Sequence, residues 1–232
     1  MCMMDYQKKT RKVLKECGAF VDGGHFVLSG GNHADFYINK DALYVYPRKL
    51  DDICVMLADT AVSSFGEFDV VLAPAVAGVV LGQNIAYNLS LTMQRDILFT
   101  YADHHPLTSH HRLIRRGYQD IIRGRRVLLV DDIVSTGSTL VNLANAVARL
   151  KGVVAGAVVI CDRGQVRTLR YTVGTESNPS EITIAPLVEL DLQTFEPKKC
   201  PLCKAGRPID TFLGEGTTGD ILGGAAKVGV EN

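Results

Sequence analysis

The residues of this chain with the richest chemistry lie in VLLVDDIVSTGSTL, residues 127–140. Val127 to Val130 read as a buried strand that delivers two adjacent carboxylates, Asp131 and Asp132, to its carboxyl end. Two neighbouring acids at a ligand-binding edge disfavour each other's charge, so they point to a ligand that needs both. The hydroxyls of a cis-diol or the water shell of a metal are such ligands. After Ile133 and Val134, the run Ser135, Thr136, Gly137, Ser138 and Thr139 opens a helix. Backbone N–H groups, several hydroxyls and a glycine that lets the backbone close on an anion make this a phosphate cradle. No lysine follows the glycine, which separates the loop from a Walker A motif. Acids for a diol and hydroxyls for a terminal phosphate fit a sugar monophosphate, specifically ribose 5-phosphate.

The elements that must position this segment follow from hydrophobic spacing. Residues 5–17 read as a short basic helix stopped by Gly18. HFVLSGG (25–31) and DFYIN (35–39) read as two strands joined by a glycine-rich turn. Leu50, Ile53, Leu57, Ala61 and Val62 recur at helical spacing within 47–65, with Pro47 in the first turn. From there strands at 68–73, 96–101, 126–132, 153–162 and 181–190 are expected, with helices at 78–89 and 138–151. The polar stretch 103–125 shows no periodicity and is expected as a functional loop. Alternating β and α units predict an α/β fold, a doubly wound, mostly parallel sheet whose ligands sit at the carboxyl ends of the strands. From about 204 onward the chain is rich in Gly and Thr and is expected to be a flexible tail.

Composition bounds the rest. The 232 residues carry 25 Lys and Arg against 25 Asp and Glu, so no global charge invites nucleic acid or an anionic membrane. The apolar stretches 70–82 and 153–161 are shorter than the ~20 residues of a spanning helix. MCMMDYQKKTRKVLKE has no apolar core of a signal peptide, and the six cysteines read as reduced thiols, so a cytoplasmic protein is expected.

The Asp131–Thr139 element resembles the phosphoribosyl pyrophosphate (PRPP) motif of the type I phosphoribosyltransferases. Further segments resemble the orotate phosphoribosyltransferase branch. GAFVDGGHFVLSGGNHADFYIN (18–39) is similar to the N-terminal hood of that branch. Ala75, Val76, Ala77 and Gly78 resemble its pyrophosphate loop. RGYQDIIRGRRVLLVDD (116–132) resembles the approach from the mobile catalytic loop. CDRG (161–164) matches a position where an arginine, here Arg163, meets the orotate ring. PLVELDLQTFEPKKCPLCKAG (186–206) resembles the end of some longer members.

The resemblance implies a hood over residues 1–45, a transferase core over 46–192, and a CxxC segment with tail over 193–232. It implies transfer of ribose 5-phosphate from PRPP to orotate, with Mg2+ bound to PRPP, in a homodimer. Asp131 and Asp132 would hold the ribose diol, and Ser135 to Thr139 the 5-phosphate. Tyr37, Ile38 and Arg163 would line the base pocket. The usual lysines are missing, because the matching positions read Leu28-Ser29-Gly30, Val76-Ala77-Gly78 and Tyr101-Ala102-Asp103-His104-His105. His104, His105, Arg115 and Arg116 are the expected replacements, drawn from a stretch that also holds His110, His111 and Arg112. The rivals are a phosphoribosyltransferase for another base, such as a purine, and a PRPP-sensing regulator without turnover.

No protein metal site is expected. Cys200-Pro201-Leu202-Cys203 offers two of the four ligands of a structural zinc, and the missing pair would have to come from residues such as Cys17 or from a second subunit. These thiols are therefore expected to be buried or inert, with zinc as the alternative, and His25 and His33 to be turn or surface residues. Gly214 to Gly219 matches GxGxxG, but too little chain follows for a dinucleotide fold, so it reads as tail.

Overall fold

The structure is a computed structural model that describes residues 3–28, 30–105, 108–172, 179–190 and 192–213, without the side chains of 3, 4, 105 and 108–111. In chain order the elements are α1 (Met3–Glu16), β1 (Phe20–Val27), β2 (His33–Ile38), α2 (Lys40–Tyr44), α3 (Pro47–Phe65), β3 (Val70–Pro74), α4 (Ala77–Met93), β4 (Leu98–His105) and β5 (Thr108–Leu113). They continue with α5 (Gln119–Ile122), β6 (Arg126–Val134), α6 (Ser138–Arg149), β7 (Val153–Asp162), β8 (Thr168–Tyr171), β9 (Ser180–Glu189), a 3-10 turn over Pro197–Lys199 and α7 (Pro201–Lys204). The larger of two compact units holds residues 3–10 and 48–190, and the smaller holds 11–47 and 192–213.

The larger unit is built on a seven-stranded sheet of order β5-β4-β3-β6-β7-β9-β8. The five central strands run parallel, and β5 and β8 close the two edges antiparallel. Val70 and Leu72 of β3, Val127 and Leu129 of β6, and Ala157 and Val159 of β7 point to one face, where Leu140, Leu143 and Val147 of α6 cover them. The alternate residues Val71, Leu128, Val130 and Val158 are buried as well. Helices α3 and α4 supply that second cover: a methyl on Gly82 of α4 would strike Phe99 and Ala73, and one on Gly156 of β7 would strike Phe65 at the end of α3. Burial on both faces explains why these strands read as unbroken apolar runs. Each such Val or Leu contributes roughly 1.5–3 kcal/mol when fully buried. The architecture is α/β with a doubly wound, mostly parallel sheet. Among the described residues no helix is long and apolar enough to cross a membrane.

Two expectations need correction. Stretch 103–125 is not one loop: β4 runs on to His105, β5 returns antiparallel to it with His104 opposite Arg112, and α5 follows. A hairpin at a sheet edge needs no apolar periodicity, because backbone pairing carries it. Strand β8 escaped notice for the same reason, being four residues on the opposite edge.

In the smaller unit β1 and β2 form an antiparallel ribbon with Phe20 opposite Ile38 and Val27 opposite His33. Phe26, Ala34 and Phe36 are buried beneath it. The segment after the core is tied to this ribbon. His33 and Phe195 exchange two backbone hydrogen bonds of 2.8 Å, and Asp210 N–H donates to the His25 carbonyl at 2.7 Å. The chain from 204 to 213 is thus held in place, contrary to expectation, while Gly214 to Gly219 lie outside the described residues.

Candidate functional site

The sheet order dictates where a ligand would sit. From β3 the chain crosses to β4 on one side, and after the edge hairpin it returns to β6 on the other side of β3. The crossovers therefore diverge between the carboxyl ends of β3 and β6, the switch point at which sheets of this kind take their ligands. The loop Ala75 to Gly78 leaves β3 there, and Asp131 and Asp132 stand near the end of β6. The Ala75–Val76 peptide is cis, and the Val76 side chain is exposed.

Asp131 and Asp132 are 8% and 4% exposed, which puts two carboxylates in a mostly dry setting. Part of their oxygen valence is met locally, since the Asp132 N–H donates to Asp131 Oδ1 at 3.0 Å and the Ile133 N–H to Asp132 Oδ1 at 2.8 Å. The loop then turns at Gly137, whose φ of 77° is the left-handed conformation glycine tolerates best. Gly137 is the N-cap of α6 and no side chain caps the helix. The first-turn N–H groups thus face outward as anion donors, apart from a long 3.4 Å bond from Ser138 N–H to Thr136 Oγ1. The hydroxyls of Thr136 and Ser138 lie 3.3 Å apart beside them. The segment Ser135 to Thr139 thus brings two hydroxyls beside the start of a helix that no side chain caps.

Arg163 and Gly164 reach the same place from β7. The Arg163 N–H donates to the Val134 carbonyl at 2.8 Å, and Gly164 lies so near Ser135 that a side chain would strike the Ser135 carbonyl oxygen. Asp162 is fully buried and accepts the Gly164 N–H at 2.9 Å, which fixes the turn that carries Arg163. Its other oxygen, Oδ2, has no hydrogen-bond partner among the described residues.

One cation beside the loop after β3 is a residue the sequence underweighted. Arg112 on β5 donates from Nη1 to the Ala75 carbonyl at 3.3 Å, so its guanidinium stands over the loop after β3. Burial lowers its pKa, and the charges of Asp131 and Asp103 oppose that shift. A guanidinium stays charged through such a shift. Arg115 and Arg116 are exposed, and Arg116 sits with its guanidinium 6.0 Å from the Tyr101 ring centroid. His104 is exposed on β4, opposite Arg112, and the side chains of His105, His110 and His111 lie outside the described residues. The signal that singles out Arg112 is strand register, which appears only once β4 and β5 are paired.

Tyr37 and Ile38 belong to the smaller unit. As consecutive residues of β2 they point to opposite faces, Ile38 buried and Tyr37 half-buried. The histidines nearby overturn an expectation. His25 and His33 are 2% and 7% exposed, not surface groups; His25 meets both Cys200 and Cys203, and His33 meets Cys203. A nitrogen or sulfur atom of each residue lies within 4.8 Å of the others. The groups that meet the CxxC are thus these histidines of the same chain, where Cys17 or a second subunit was expected.

Comparison with known proteins agrees with this geometry. The family described as "Phosphoribosyl transferase domain" matches residues 43–188. An orotate phosphoribosyltransferase of Wolinella succinogenes is 30% identical over 203 residues, covering 85% of this chain and 93% of that protein. That of Campylobacter curvus is 28% identical over 198 residues, covering 84% and 93%. In fold, the chain resembles the orotate phosphoribosyltransferase from Aeropyrum pernix with a TM-score of 0.56 at 20% identity, over 77% of this chain and 92% of that one.

Proposed function

The chain belongs to the type I phosphoribosyltransferase family, and from that premise we propose that it is an orotate phosphoribosyltransferase. The parent activity is that of a PRPP-dependent phosphoribosyltransferase. In the proposed reaction the bond from ribose C1 to pyrophosphate breaks, and a ring nitrogen of orotate bonds to C1 as it gives up its proton to solvent or to the departing pyrophosphate. Orotidine monophosphate and pyrophosphate leave.

The observation that carries this reading is the switch point between β3 and β6, with two buried carboxylates leading straight into a hydroxyl-rich helix start that no side chain caps. Ser135 to Thr139 bind the 5-phosphate and fix the ribose end to end. Asp131 and Asp132 hold the diol and lie close to the positive charge that grows at C1 as the bond stretches. Ala75 to Gly78 offer backbone to the pyrophosphate, and Arg112 above them stabilises the charge that collects on the leaving group. Catalysis is then chiefly positioning and electrostatic preorganisation. Asp131 and Asp132 also offer hard oxygen donors, which fit a magnesium ion arriving with PRPP. That ion, when bound, neutralises part of the pyrophosphate charge. Arg163, with Tyr37 and Ile38 of the hood, is proposed to hold the base, an arginine being the natural partner for the orotate carboxylate. His104, His105, Arg115 and Arg116 remain proposed as lesser contributors around the pyrophosphate.

The missing lysines favour a second reading, a PRPP sensor without turnover. The assay that separates the two follows the loss of orotate absorbance with PRPP and magnesium, alongside PRPP binding by calorimetry. Turnover of orotate and not of adenine or hypoxanthine is expected. The pair Asp131→Asn with Asp132→Asn should lower PRPP affinity by about a hundredfold or more with the thermal transition retained. In the same assay Arg163→Ala should raise the KM for orotate more than that for PRPP. PRPP binding without turnover of any base would establish the sensor, and no PRPP binding would sink both readings.

A further inference from the structure

We propose that His25 Nε2, His33 Nδ1, Cys200 Sγ and Cys203 Sγ form a closed structural zinc site in the smaller unit, independent of the transferase chemistry. All four ligand atoms lie within 4.8 Å of one another. Both thiols stand 3.7 Å from His25 Nε2, and Cys203 Sγ stands 3.3 Å from His33 Nδ1. Zinc bonds of about 2.0–2.1 Å to nitrogen and 2.3 Å to sulfur imply a tetrahedron with edges of about 3.3–3.8 Å. The sulfur–nitrogen separations have that size. The two ring nitrogens, 2.9 Å apart, would open by a few tenths of an ångström around an ion.

The donor set selects the metal. Two thiols and two imidazoles without a carboxylate disfavour magnesium and calcium and suit zinc. Four protein ligands leave no open position, so the site is structural. The ring of His25 is already oriented for the task. Its Nδ1 lies 2.8 Å from the Arg207 carbonyl, which only accepts a hydrogen bond, so the proton resides on Nδ1 and the Nε2 lone pair points at the thiols.

The fold explains why an ion belongs here. β1 and β2 form an isolated two-stranded ribbon, a form that is marginal without support. The ligands join that ribbon to a segment about 175 residues further along, as the His25–Cys200 spacing shows. Hydrogen bonds hold both partners in register: the backbones of His33 and Phe195 pair, Asp210 N–H donates to the His25 carbonyl, and the Arg207 side chain donates from Nη1 to the Gly24 carbonyl. A metal across these residues closes the longest loop of the smaller unit, where a cross-link restrains the unfolded chain most.

The test uses the full chain and reads metal, not turnover. Elemental analysis after dialysis should find one zinc per chain. Cys203 is exposed, so Cys203→Ser disturbs packing least, and it should reduce bound zinc by about tenfold or more. The pair Asp131→Asn with Asp132→Asn should retain the full zinc content. Replacement of zinc by Co2+ in the unmodified chain gives a readout that needs no variant. Intense visible bands of a four-coordinate ion with a near-ultraviolet thiolate-to-cobalt band are expected. A chain that takes up no zinc when supplied with it would overturn the site. So would a weak six-coordinate cobalt spectrum, or zinc content unchanged in Cys203→Ser.

Discussion

At the scale of single residues, the site depends on which cation faces the leaving group. Arg112, Arg115 and Arg116 are equivalent in composition and differ in placement. Arg112 reaches the Ala75 carbonyl and feels Asp131, whereas the other two are exposed. Arg112→Gln keeps a hydrogen-bond donor for that carbonyl and removes the charge. Losing one preorganised donor to a growing negative charge costs about a hundred- to a thousandfold in kcat. That loss is expected here with little change in PRPP affinity, while Arg115→Gln should change kcat by less than about fivefold, as for an exposed charge. Steady-state rates on the three proteins check the difference, and equal losses at 112 and 115 would refute the assignment.

At the scale of elements, α1 shows how a charged helix is anchored. Its basic residues 8–15 are mostly solvated, and Tyr6 supplies a fixed point by donating its hydroxyl to Asp59 Oδ2 of α3 at 2.7 Å. That hydrogen bond, with burial and the charge of Asp59, raises the Tyr6 pKa to about 12. An unfolded tyrosine ionises near about 10. The folded value is the higher one, so the neutral phenol is favoured in the fold. Its stabilisation is complete below about pH 10 and disappears as pH rises towards about 12. A hydrogen bond to a charged group contributes about 1.5–3 kcal/mol. Tyr6→Phe should lose that amount at pH 8, and its stability should fall less steeply than that of the parent between pH 10 and 12. Urea titrations across that range measure both. A parallel pair of stability curves would exclude the linkage.

At the scale of the whole molecule, zero net charge gives an anionic substrate no long-range attraction, so its binding relies on local charges such as Arg112. The proposed homodimer has a candidate surface in this chain. Helix α4 exposes Val80, Tyr87 and Leu91 along one side, and Val76 just before it is 85% exposed. Contiguous exposed apolar side chains mark interaction surfaces. Sedimentation should therefore give twice the mass of 25.2 kDa. The double variant Tyr87→Asp with Leu91→Asp should sediment as a monomer. A parent chain that is monomeric at high concentration would remove the homodimer.

The parts of this protein legible in its sequence are those whose chemistry is contiguous. A buried strand, two acids, a glycine and a hydroxyl-rich helix start within 127–140 are local features, and backbone sterics with apolar burial place them without reference to distant residues. The helix at 47–65 was equally plain, because one face of it is core: Leu50, Ile53, Leu57 and Ala61 are at most 1% exposed. Edge strands β5 and β8 were not, since backbone pairing holds them and leaves no apolar rhythm. Tertiary structure alone chose Arg112 over its neighbours, through the register of β4 against β5. It alone brought His25 and His33 to Cys200 and Cys203, because a ligand set split across about 175 residues has no spacing to read until the ribbon and the later segment pair.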